Sequence, residues 1–120
     1  MTVGNSNLLS LVRNLSSFSP ELREEAAETI CDWVRSFNQH EVGVVASLLS
    51  VAAAVESVPN CRESELNALG ELTQTGFVEA EFLAPLWDID RKELCRSAGD
   101  HFDHLAGEYL IPDLAPPPGQ

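Results

Sequence analysis

The residue types that come nearest to a reactive constellation in this chain lie together in Asp100-His101-Phe102-Asp103-His104, with Glu108 four residues on. On a helix, His101, His104 and Glu108 stand at i, i+3 and i+7, an edge able to offer two imidazoles and a carboxylate to a metal ion. Histidines bordering an apolar helical face more often pack or face water, so no metal and no cofactor is assigned here. Cys31, Cys61 and Cys95 are odd in number and form no CxxC pair, which implies neither a disulfide framework nor a zinc knuckle. They are expected to be inert thiols in a reducing cytoplasm. GxSxG, HExxH, a glycine-rich loop opening a helix and a P-loop are all missing. No catalytic residue is assigned, and the chain is not expected to be an enzyme.

Charge is the stronger signal. Against 19 Asp and Glu stand 7 Lys and Arg, a net charge of −12 and a pI near 4.4. That balance argues against nucleic acid or an anionic membrane as a direct partner, and makes a basic protein the natural complement. Acidic surfaces also serve solubility alone. The N-terminus has no basic stretch followed by an apolar run of signal-peptide length, which fits a cytoplasmic location.

The elements that must position these charges read as helices. At 120 residues and 44 % hydrophobic content the chain is one folded domain, taken as 1–111, followed by a loose proline-rich tail at 112–120. The stretch Glu41 to Ser57 is its centre: every residue from Val42 to Val55 is apolar or small, so a helix here is hydrophobic on all sides and must be buried. Gly43, Ser47, Ser50 and Ala54 give it a stripe of small residues for close approach of one neighbour. The run is too short to span a bilayer.

Around it, Leu8, Leu9, Leu11, Val12 and Leu15 predict a first helix over Asn5 to Ser16. Ser19-Pro20 opens a second, to Phe37, with Leu22, Ala26, Ile30, Trp33 and Phe37 inward and Glu21, Glu25, Glu28 and Asp32 outward. Only Arg35 interrupts that acidic face. Asn38 with Glu41 forms a capping box for the central helix, and Asn60 with Glu63 repeats it for a fourth helix ending near Thr75, with Gly76 beyond. A short, kinked helix is expected over Val78–Asp88 around Pro85. A third box, Asp90 with Glu93, opens a last helix over Arg91–Leu110 that turns Leu94, Ala98, Phe102, Leu105 and Tyr109 inward. No alternation marks a strand, so the fold class is all-α.

Residues 23–33, REEAAETICDW, repeat as 62–72, RESELNALGEL, at an offset of 39. The arginines, the following glutamates, Ala27 with Leu66, Ile30 with Leu69, Asp32 with Glu71 and Trp33 with Leu72 correspond. Both arginines sit in a first turn within the apolar arc, where a guanidinium can lay its stem on the core and reach an acid or carbonyl of the next helix. The period lies just under that of HEAT and armadillo units. On the R-E-x-x-[AL]-x-x-[IL] motif the chain resembles HEAT-like helical-hairpin proteins. That resemblance implies about six helices in three antiparallel hairpins, a right-handed stack. The interruption at Pro85 and the short third unit depart from it.

At RESELNALGELTQTGFV and LWDIDRKEL the chain is also similar to small acidic helical immunity proteins, which bacteria make beside secreted or contact-delivered toxins. The resemblance implies a protein that binds a cognate toxin domain and covers its active site; the acidic charge of the chain adds that the domain is basic, best of all a nuclease with its cationic substrate groove. Stacked hairpins expose their second helices on a shared face, so the expected contact residues are Glu21, Glu25, Glu28, Asp32, Glu63 and Glu71. Trp87, Asp88 and Asp90 beside the kink form a second candidate group, Trp87 being either core or partner anchor. The alternative is a HEAT-like scaffold or adaptor without a toxin. An enzyme built on the His101/His104 edge is a distant third.

Overall fold

A computed structural model of the chain describes residues 1–110, and within them the protein is all α. The five α-helices are α1 Asn5–Leu15, α2 Pro20–Trp33, α3 Gln39–Val55, α4 Pro59–Thr73 and α5 Arg96–Tyr109. Three 3₁₀ segments, Val34–Ser36, Ala80–Asp88 and Arg91–Glu93, join them, and no strand occurs among the described residues. The tail expected at 112–120 lies outside the described residues. No described helix is long and apolar enough to cross a membrane.

Side-chain caps open two of the five α-helices, α2 and α3. Ser19 caps α2 by accepting from the Leu22 amide at 3.3 Å, with Pro20 at the first helical position. The Asn38 box forms in full: its amide oxygen accepts from Glu41 N at 2.8 Å, and its own N–H donates to Glu41 Oε1 at 2.9 Å. Two other boxes do not form as expected. α4 opens one residue before Asn60, because Pro59 takes the first helical position and holds Val58 extended as the cap residue. Asp90 accepts from Lys92 N at 3.0 Å, a bond two residues on that makes only a single 3₁₀ turn. The chain then runs extended through Leu94, and α5 starts at Arg96, five residues later than the sequence pattern suggests. The expected kinked helix at Pro85 is a nine-residue 3₁₀ segment, since in an α-helix the proline ring would clash with the carbonyl four residues back.

The helices lie in two layers. α2 packs on α4 and α4 on α5, while α3 lies against α1 on one side and the 80–88 segment on the other; α1 crosses to α2 and α3 to α4. Between the layers sit Ile30, Leu49, Leu66, Leu69, Leu72, Leu83, Leu86 and Leu105, all fully buried. Leu22, expected inward, is 39 % exposed, and Trp33 is half-buried at the core's edge. The third pair departs from a helical hairpin, because the 80–88 segment packs on α3 rather than extensively on α5.

The expected central helix is only partly covered. α3 buries Val42, Val45, Ala46, Leu49, Ser50 and Ala53, but Val51 is 48 % and Val55 76 % exposed, with Val44 and Leu48 half-buried. α4, packed on by α2, α3 and α5, is the more enclosed helix. Gly43 in the small-residue stripe faces the Phe82 ring rather than a full helix, and a Cβ added there would lie 3.5 Å from that ring.

Candidate partner-binding surface

α2 turns its buried Ala26, Ala27 and Ile30 onto α4, which leaves Glu21, Glu25, Glu28 and Asp32 exposed on its outer side. On α4, Glu63 and Glu71 are half-buried. The two helices bring part of this set around one thiol. Burial pushes the pKa of half-buried Cys31 up, and the charges of Glu71, Asp32 and Glu28 add to it in that order. Glu71 of α4 and the Glu28–Asp32 turn of α2 therefore flank the same seam, where Asn67 Nδ2 approaches Cys31 Sγ at 3.7 Å. No lysine or arginine pairs with these acids within salt-bridge distance among the described residues, so their field faces outward.

Arg35, three residues past Asp32, stays exposed at the end of this face, but Arg23 and Arg62 are turned inward. Arg23 donates from Nε to Glu56 Oε1 and from Nη2 to Glu56 Oε2, both at 2.8 Å, and from Nη1 to Ser17 O at 2.8 Å. Arg62 donates to Ala53 O at 3.0 Å and Ala54 O at 3.4 Å, two carbonyls in the last turn of α3. The repeated arginines thus converge on one helix terminus. Arg23 reaches an acid ahead of it as the pattern suggests, and Arg62 reaches back instead of forward. With two of seven cations engaged inside, the outer face of α2 is more acidic than its composition implies.

Trp87, Asp88 and Asp90 stand apart from that face, on the 80–88 segment and just beyond it. The half-buried Trp87 ring meets Phe102 of α5 edge-on, with centroids 5.7 Å apart and planes at 74°. That contact makes Trp87 a joint between the two layers. Asp88 and Asp90 are exposed, and Asp90 uses one oxygen on the turn that follows. At the other sequence constellation, His104 Nε2 lies 3.2 Å from Glu108 Oε1 on the exposed side of α5, while His101 is half-buried. Among the described residues no three His, Cys, Asp or Glu side chains gather closely enough to hold a metal ion.

Two features escaped the sequence reading. Glu65 is fully buried, and burial, then the neighbouring Glu56 charge and a hydrogen bond that its protonated form shares with Glu56, push its pKa up to about 9. The signal was present in the repeat, because Glu65 aligns with Ala26, an inward position. Glu41 does more than close the capping box. It also accepts from Thr2 Oγ1 at 2.6 Å, Gly4 N at 3.1 Å and Val3 N at 3.2 Å, tying the N-terminal residues to α3. Burial would raise its pKa, but these donors and the Asn38 amide outweigh that and bring it to about 2. Nothing local in the sequence marks so distant a pairing. Comparison of the chain with protein-family models, with curated proteins and with solved structures finds no match in any of the three.

Proposed function

We propose that this protein is a non-enzymatic binding protein that neutralises a basic bacterial toxin domain by lying across its active site. The observation that carries the proposal is the outer face of α2, where Glu21, Glu25, Glu28 and Asp32 stand exposed, continued at the seam by Glu71 of α4. An unneutralised acidic surface on well-packed helices speeds encounter with a cationic cleft, and a toxin that degrades nucleic acid must have one. The helices hold the acids in place before binding, which lowers the ordering cost of association.

The second reading, a HEAT-like scaffold, is favoured by the succession α2, α4, α5 in one layer and by the paired arginines at the end of α3. One titration separates the two. The polypeptide encoded immediately upstream of this chain is produced as its C-terminal domain, assayed for toxicity or hydrolysis, and mixed with this protein. The toxin reading expects a stoichiometric complex and loss of activity. Unchanged activity and no complex at about 10 µM of each component, well above the Kd of a functional inhibitor, would count against it.

A further inference from the structure

The outer stripe of α3 carries large aliphatic side chains at the positions where a helix facing water carries charge. Val44, Leu48, Val51 and Val55 follow at i, i+4, i+7 and i+11, a single face, and Val51 and Val55 are 48 % and 76 % exposed. Three shallow hollows adjoin it. One lies against Phe82 across Gly43 and Ser47, one against Leu9 and Val12 of α1, and one against Phe18 and Ala52 at the α1–α2 turn. Leu9 is 54 % exposed and Phe18 wholly so, and both extend the patch away from α3. Single exposed aliphatics are ordinary, but a continuous patch of this kind marks a contact surface.

Charge indicates the occupant. Among the residues lining the three hollows the only acid is Glu56, and it is clasped by Arg23; His40 is the one other ionisable side chain besides that pair. Glu41, the other acid bracketing the run, is turned inward onto Thr2, Val3 and Gly4. A chain of net charge −12 therefore has one broad face where no unpaired acid stands. A basic partner gains nothing there, whereas a second equally acidic chain can approach there without acid opposing acid. Large Leu48 and Val51 beside small Ser47 supply both ridge and groove, as a self-complementary twofold contact requires.

We infer that the α3 outer face binds a second copy of this chain in a twofold dimer. This contact lies in the layer opposite α2, so it is independent of the proposed partner surface. Sedimentation velocity of the full chain from about 2 to 200 µM tests it, together with Val51→Glu and Leu9→Glu, both at positions exposed enough to keep the fold. The parent is expected to dimerise within that range and to remain dimeric in high salt, as an apolar contact does. Each variant should keep its helical circular dichroism and raise the dissociation constant roughly 100-fold or more, by placing a charge in the contact. A parent that stays monomeric throughout, or a dimer indifferent to both substitutions, would overturn the inference.

Discussion

Arg23 and Glu56 face each other through two parallel hydrogen bonds of 2.8 Å, joining the first turn of α2 to the end of α3. The Glu56 side chain is 2 % exposed and that of Arg23 15 %. The same carboxylate accepts from Ser57 N and Val58 N at 3.1 Å, so it also holds the turn into α4. Burial raises the Glu56 pKa, the Arg23 and Val58 bonds lower it further, and the result lies below the ordinary carboxylate value.

Removing one member of this pair leaves the other charge buried, so Arg23→Ala is expected to destabilise the fold by about 3–5 kcal/mol. The exposed Arg91–Asp103 pair, with side chains 47 % and 58 % exposed, is the control. Arg91→Ala should cost much less, because water screens an exposed pair. Chemical denaturation of both variants measures the difference, and equal losses would contradict the assigned role of Arg23.

Glu65 makes stability fall as pH rises. Its carboxyl keeps a proton in the folded protein up to about pH 9 and loses it near 4.5 in the unfolded chain. Between those values the folded state binds one proton more, so ΔG of unfolding declines with pH. At roughly 1.4 kcal/mol per pH unit, keeping that proton costs about 3 kcal/mol by pH 7. Glu65→Gln retains the shape and removes the titration. It should match the parent near pH 4.5 and exceed it at pH 8, as read from urea midpoints across pH.

Glu41 acts in the opposite sense. Its folded pKa of about 2 lies below the unfolded 4.5, so its contribution is fully present above pH 4.5 and disappears as pH falls toward 2. Glu41→Ala leaves the Val3 and Asn38 amides without their acceptor and the Gly4 amide with Thr2 Oγ1 alone, at a cost of about 2 kcal/mol. Hydrogen exchange should show the Val3 and Gly4 amides losing protection in this variant. Protection equal to the parent's would mean that the N-terminal residues are held by something else.

Gly70 sits inside α4 with nothing within 4 Å of where a Cβ would project. Gly70→Ala is therefore expected to stabilise the protein by about 0.5–1 kcal/mol, the helix-propensity difference, with a matching rise in Tm.

What was legible in the sequence is the chemistry that acts within a few residues. Ser19-Pro20 and Asn38 with Glu41 cap their helices as their spacing implies, since each satisfies amides of its own first turn. Asn60 with Glu63 fails for an equally local reason, the prior claim of Pro59 on the first helical position. The repeat pointed to inward roles for Arg23 and Arg62, and both take them. Less could be read where the outcome depends on neighbours distant in sequence. An all-apolar helix says that it needs cover without saying how much it receives, so the bare stripe through Val51 was invisible. Glu65 in an apolar arc shows the same limit, because spacing cannot say whether a buried acid finds a donor. For the candidate surface, periodicity placed Glu21, Glu25, Glu28 and Asp32 outward correctly, while Trp87 was undecided until Phe102 was seen beside it.

The acidic outer face of α2 is tested most directly by the association rate with the upstream-encoded domain, measured by stopped flow for the parent and for Glu28→Lys/Asp32→Lys at low and physiological salt. Both positions are exposed, so the variant should keep the parent's circular dichroism and Tm. The parent's rate is expected to fall steeply as salt shortens the screening length toward ~8 Å. The variant should associate at least about tenfold more slowly at low salt, show a flatter salt dependence and fail to protect. A variant that binds with the parent's rate and salt dependence would contradict the assignment of recognition to this face.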